Sequence, residues 1–331
     1  MTEHSPDLGR PRRRRPLRAV LQALVMAAFA LFIVYAVAKR WDGVRDYAGR
    51  LSVAAIGLST TAVLGAIWCS FLCWKAVLAD FGSRVPVGGG MRIFFVGQLG
   101  KYLPGKLWPI LTQTRLGAEY GVPKRSSGAA AGVFMLLVLG TGLVIGVATL
   151  PFLGAQAFHR YWWALAVLPA ALVAMHPAVL NWGLGLGLRL ARREPMPQPL
   201  TLRGTATAAF WCLPMWALFG VHTWALALDL GGGGLPLLLR STGVFAASWS
   251  IGFLLLVAPA GAGPREAAFI VLLGATLPVA QATVIALVSR LLITVGDVAW
   301  GLLALLGARR RQPGRTDTVA PPPPARETVR D

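Results

Sequence analysis

Apolar residues in this chain gather into long runs separated by short basic segments. Clear runs cover 19–38, 51–78, 128–150, about 161–182 and 206–228, and a longer apolar region follows at 235–306. A helix rises 1.5 Å per residue, so about 20 apolar residues cross the roughly 30 Å of a bilayer's hydrocarbon core. Runs of this length predict transmembrane helices. Two stretches break the pattern. Residues 84–125 are less hydrophobic and dense in Gly, Pro and Lys, and the region 235–306 is interrupted by Pro-Ala-Gly-Ala-Gly-Pro at 259–264 and by Pro278.

The two interruptions resemble each other. Gly97 stands seven residues before Pro104, and Gly252 seven before Pro259. Gly and then charge follow each Pro, and a long apolar helix comes after, led in by Gly121-Val-Pro123 in one case and by 274–278 in the other. Broken elements at corresponding places in two halves of a membrane chain predict an internal repeat with a site near the bilayer midplane. Read as re-entrant hairpins, the first enters from the cytoplasm and the second from outside, so the repeat is inverted. The predicted fold class is an all-α polytopic membrane protein of about six transmembrane helices plus two Pro/Gly-broken re-entrant hairpins, with eight conventional helices as the alternative. That alternative makes 265–277 cross the bilayer in 13 residues, too few for a typical span. The predicted break and hinge positions are Gly97, Gly100, Pro104, Gly105, Pro259, Gly261, Gly263 and Pro264.

Composition agrees with the pattern and charge orients it. Hydrophobic residues make up 56% and charged residues only 14% of the 331, where globular domains carry about 25% charged. The formal charge is +19, and its placement decides its meaning. With the N-terminus inside and the spans alternating, Lys and Arg number 6 in 1–18, 8 in 75–125, 4 in 189–203 and 6 in 309–331, which is 24 of 32. The outside loops hold 5, at 39–50 and Arg160. This positive-inside bias predicts a multi-pass protein of the cytoplasmic membrane with both termini cytoplasmic. Bases spread between apolar runs, rather than gathered on one face with aromatic readers, argue against nucleic acid as a partner. Residues 1–18 read as a basic arm, and 309–331, with four prolines at 321–324, as a disordered or polyproline tail able to dock a protein partner. The first run ends in Lys39-Arg40-Trp41 rather than at a small-residue cleavage site, so it is expected to remain as a span.

Candidate chemistry lies at the breaks. Pro and Gly free backbone N–H and C=O groups that lipid cannot satisfy, so such backbone lies at depth only where protein buries it or it lines a wet cavity. Lys101, Lys106, Arg115 and Arg265 sit at or beside these breaks, where helix N-termini also favour anions. The ligand these features suit is a phosphate-bearing lipid head group, with Gln98, Tyr102, Gln113 and Trp108 supplying hydrogen bonds or packing. Glu266, Arg290 and Asp297 are ionisable residues in apolar helix, costly there and hence functional candidates. The structural alternative is an interhelical ion pair of Arg265 or Arg290 with Glu266 or Asp297. Arg240 reads as snorkelling to the outer surface, and Asp229 and His159 as loop residues. Cys69 and Cys73 share a helix face, but no His, Asp or Glu stands at matching spacing, and with Cys212 they read as small buried hydrophobes. The four histidines form no cluster, so neither metal nor cofactor is expected.

The segment Gly97-Gln-Leu-Gly-Lys-Tyr-Leu-Pro-Gly-Lys-Leu-Trp108 resembles the first signature of the lysylphosphatidylglycerol synthase transmembrane-region family. Residues 259–266, Pro-Ala-Gly-Ala-Gly-Pro-Arg-Glu, resemble its second, and 290–305 its last helix. The resemblance covers about 20–308 and implies a flippase-like transmembrane domain at 19–308 in a bacterial inner membrane. In its best-known members this region moves an aminoacylated phospholipid between leaflets, beside a soluble transferase domain. Only the short tail 309–331 follows the last span here, so synthase activity is not expected. The chain departs from many members in that 128–142 is uncharged where they place a Glu-Arg pair.

Three readings compete. A translocase of phospholipid or lipid-linked head groups follows from the paired broken elements. An integral-membrane glycosyl- or phosphotransferase would need carboxylates for metal or base work; only Glu119, Glu266 and Asp297 are available, and no Asp-x-Asp or Asp-x-x-Asp pair occurs. A non-catalytic scaffold or regulator of a lipid or envelope-glycan enzyme would use the proline-rich tail.

Overall fold

The computed structural model describes residues 41–102, 108–153, 158–159, 162–255 and 263–309, and every regular element among them is helical. The arm, the predicted span at 19–38 and the proline-rich tail lie outside the described residues. A short helix α1 (Trp41–Arg50) leads into α2 (Val53–Asp80), the first long apolar helix. The next helix, α3, runs over 87–102 as one rod, α-helical at Val87–Met91, widened to a π-turn at Arg92–Val96 and tightened to 3-10 geometry at Gly100–Tyr102. It is followed by α4 (Trp108–Ala118), α5 (Lys124–Ala148), α6 (Val167–Met175), α7 (Pro177–Leu190), α8 (Leu202–Asp229), α9 (Leu235–Leu254), α10 (Pro264–Leu273) and α11 (Val279–Arg309).

The inverted repeat is written into helix caps. The Ser52 side chain caps α2 and the Thr201 side chain caps α8, each accepting from a backbone N–H three residues on. Both residues also bind the far end of the other helix. Ser52 donates its N–H and Oγ–H to the Asp229 carboxylate at 2.6 and 2.9 Å, and Thr201 donates the same two groups to Asp80 at 2.8 and 2.7 Å. Serine 52 to threonine 201 and aspartate 80 to aspartate 229 are each 149 residues, so α2 and α8 are equivalent helices packed antiparallel. Asp229 is therefore a helix-terminal staple and not a loop residue. Further on the offset becomes 155, relating Pro109 to Pro264 and Pro123 to Pro278 at the starts of α4/α10 and α5/α11.

Between these helices stand the two hairpins. In the first, a Cβ added to Gly97 would lie 2.4 Å from Gln113 Cγ, and one on Gly100 would lie 3.0 Å from Pro109 N, so α3 and α4 pack antiparallel through their glycines. In the second, Gly252 approaches the Arg265 backbone in the same way. At 1.5 Å per residue, α4 and α10 are about 16 and 15 Å long, half a bilayer. Helix α9 is long and apolar enough to cross a membrane, and its packing shows how far it reaches along α5. It runs antiparallel to α5 with Gly243 against Thr149, Ala247 against Gly146 and Ser250 against Gly142. Continued to Leu254, that register ends beside the middle of α5. That register, with α4 and α10 each half a bilayer long, fits the re-entrant arrangement.

The predicted span at 161–182 is present but not straight. Residues Trp162–Met175 and Pro177–Leu190 meet at 68°. Proline at 177 lacks the N–H that would continue the helix and drives His176 to an extended conformation, φ −65° and ψ 134°. Among the described residues α2, α5, α8, α9 and α11 are the five helices long and apolar enough to cross a membrane, and the bent pair makes six if it counts as one span. The chain is an all-α multi-pass membrane protein.

Candidate functional site

A cavity of about 250 Å³ opens at mid-height of α2 and α8. Its walls come in equivalent pairs: Ile67 with Trp216 and Ser70 with Phe219 at the 149 offset, Gln98 with Phe253, Met135 with Arg290 and Val138 with Ile293 at 155. Equivalent residues facing one space place the cavity on the local two-fold that relates the repeats. Much of the wall is aromatic. Phe94 and Phe95 are both buried where the π-turn widens α3, and Phe219 stacks on Phe245 with centroids 4.4 Å apart.

The polar chemistry departs from the symmetry. It collects on the middle of α11, whose central residue is Thr294. The Asp297 carboxylate receives the Lys101 ammonium at 2.6 Å and the Tyr102 hydroxyl, also at 2.6 Å, from the tip of the first hairpin. Two turns back, Arg290 Nη1 lies 3.4 Å from Glu266 Oε1 of the second hairpin. The other oxygen of Glu266 accepts the Gly263 N–H at 2.6 Å, closing the N-terminus of α10 in a capping arrangement. Both hairpin tips are thus tied to one helix. On α5 the positions equivalent to Arg290 and Asp297 are Met135 and Gly142, which is where the uncharged stretch 128–142 falls.

The last charge is different. Arg265 lines the cavity and is 9% exposed. Its guanidinium carbon lies 4.9 Å from the Phe245 ring centre. Among the described residues it has no carboxylate partner, whereas Glu266 and Asp297 are each taken by another cation.

Of the residues singled out from sequence, Gln98, Lys101, Tyr102, Arg265, Arg290 and Asp297 line the cavity, with Glu266 one contact behind. Gln113 does not reach it: it is buried against Gly97 inside the first hairpin, its Oε1 without a hydrogen-bond partner among the described residues. Arg115 is exposed on the outer face of α4 and is also absent from the wall. Trp108 is half-exposed at the start of α4. Gly97, Gly100 and Gly263 are at close approaches or caps, and Pro264 opens α10. Lys106, Pro104, Gly105, Pro259 and Gly261 lie outside the described residues. Sequence reasoning missed the aromatic wall and Met135; the 155 offset, once Pro104 is aligned with Pro259, puts Met135 opposite Arg290.

Two buried polar groupings stand apart from the wall. His222 on α8 bridges Ser59 of α2 at 2.5 Å and Ser289 of α11 at 2.8 Å, a cross-helix tie by a histidine that no sequence cluster marks. Cys73 faces Cys212 at 3.5 Å across the α2–α8 contact, rather than working with Cys69 on its own helix. All three thiols are free and buried. Among the described residues no group of three His, Cys, Asp or Glu could hold a metal ion.

No curated protein matches the chain. A family model described as the lysylphosphatidylglycerol synthase transmembrane region matches residues 18–301, a range that takes in both hairpins and the α11 residues that tie them. The chain belongs to the lysylphosphatidylglycerol synthase transmembrane-region family.

Proposed function

We propose that this chain is a translocase that carries phospholipid or lipid-linked head groups between the leaflets of the cytoplasmic membrane. The observation that carries the reading is the cavity on the two-fold of an inverted repeat, at mid-height of α2 and α8 and bounded by both hairpin tips. In such repeats a midplane site opens to one side or the other as the halves rock about it. At about 250 Å³ the cavity falls just below the roughly 300–1,000 Å³ usual for pockets that bury a whole drug-sized ligand. It suits a head group, with acyl chains left in lipid. The positive-inside count supports cytoplasmic termini.

Transport without bond-making fits the state of the carboxylates. Glu119, Glu266 and Asp297, the three available to an enzyme mechanism, are held in ion pairs with Arg92 at 2.7 Å, Arg290 and Lys101 respectively. A carboxylate oxygen engaged by a cation is not free to take a proton from a substrate. The test is a leaflet-resolved assay in vesicles carrying a fluorescent phospholipid, with a membrane-impermeant quencher added outside. Protein-containing vesicles are expected to expose the inner-leaflet pool, and equal protection with and without the protein overturns the reading.

A further inference from the structure

We propose that Arg265 is the phosphate-recognising residue of the cavity, and that the cavity takes a phospholipid head group with one net negative charge and no amine. This rests on the reading of the cavity as a lipid site. The argument is a charge count over described residues. Lys101, Arg265 and Arg290 bring three cations, and Glu266 and Asp297 two anions. The two anions are spent on Lys101 and Arg290, which leaves Arg265 as the surplus.

A desolvated guanidinium has five N–H donors and gains little from an aromatic face alone. Its guanidinium lies over the Phe245 ring, with no carboxylate of the described residues within ion-pair distance of its N–H edges. A phosphodiester is the group that matches that edge, with two oxygens for a bidentate pair and one charge to neutralise the surplus. Pro264 and Gly263 put Arg265 in the first turn of α10, so the helix N-terminus adds partial positive charge at the same place.

The same count argues against other head groups. An ammonium-bearing lipid needs a free carboxylate, and Asp297 already accepts both Lys101 and Tyr102 while Glu266 is shared by Arg290 and the Gly263 N–H. An aminoacylated lipid would bring a further cation to a cavity whose described residues already carry one cation in surplus. A diphosphate carrier brings more negative charge than Arg265 can neutralise.

The experiment is a retention competition. The full chain, in detergent, is offered equal amounts of phosphatidylglycerol, phosphatidylethanolamine, lysylphosphatidylglycerol and undecaprenyl diphosphate, and bound lipid is read by native mass spectrometry. Phosphatidylglycerol is expected to be retained about tenfold over each of the others, the ratio one charge-assisted hydrogen bond supplies. Arg265→Gln is expected to bring the ratio to about one, and Arg265→Lys to keep a reduced preference. Equal retention by the wild-type chain, or preference for any other of the four, overturns the proposal, as does an unchanged ratio in folded Arg265→Gln. The wild-type competition decides the head-group class even where Arg265→Gln does not fold. Retention reports binding and leaflet exchange reports transport, so this proposal and the translocase reading fail separately.

Discussion

Lys101 Nζ and Asp297 Oδ2 stand 2.6 Å apart and join the tip of the first hairpin to the middle of α11. The aspartate is buried, while the lysine is partly open to the cavity. Tyr102, the next residue, donates to the same oxygen. The contact therefore fixes the depth of the hairpin and spends a charge that would otherwise face the ligand.

Breaking one partner of a buried pair leaves the other charge desolvated, whereas removing both does not. Asp297→Asn is expected to lower stability by about 3 kcal/mol, at the low end for buried pairs because Lys101 reaches the cavity. The double variant Lys101→Met, Asp297→Leu should lose less than Asp297→Asn alone. Thermal unfolding in detergent compares them, and a double variant worse than the single one would show that the tie works by another means.

Glycines 97 and 252 are equivalent and should both resist substitution. An added Cβ at Gly97 meets Gln113 Cγ at 2.4 Å, near the root of a buried side chain that has little room to move. At Gly252 it meets Arg265 Cβ at 2.7 Å and Cα at 3.2 Å, which can move only with α10. Alanine gains about 1 kcal/mol over glycine in a helix, while overpacking costs about 1–3. Gly97→Ala and Gly252→Ala are thus both expected to destabilise, and Gly57→Ala, with nothing within 4 Å, to stabilise. The order of the three melting temperatures checks this.

The reciprocal staples should behave as twins. Asp80→Asn and Asp229→Asn each weaken two hydrogen bonds to an equivalent cap. The sites lie at opposite ends of 28-residue helices, about 40 Å apart. Their effects are expected to be similar and to add within about 0.5 kcal/mol. A strongly non-additive double variant would refute independent ends.

Orientation has its own test. The native cysteines are buried, so a cysteine at an exposed loop site reads accessibility against a low background. Arg84→Cys, between α2 and α3, is expected to react with an impermeant maleimide only from the cytoplasmic side. Gly233→Cys, between α8 and α9, should react only from outside. Labelling in intact cells and in inverted vesicles distinguishes them, and the reverse pattern would invert the topology.

The sequence by itself determined where helices run, where they break and that the halves repeat. Those features are local: a run of apolar residues has a length, and proline at 123, 177, 264 or 278 removes an N–H wherever the chain goes. The offset Gly97–Pro104 against Gly252–Pro259 made the repeat legible, and six of the candidate side chains do meet at one cavity. What only the tertiary structure decided is which charge faces which. Lys101 goes to Asp297 and Arg290 to Glu266, leaving Arg265 facing Phe245. Gln113 turns into its hairpin and Arg115 to the surface, and Cys73 meets Cys212 rather than serving with Cys69. Pairing depends on helix faces brought together from distant parts of the chain. Side-chain type and spacing along one helix restrict those faces to a few choices, and packing of the two repeats selects among them.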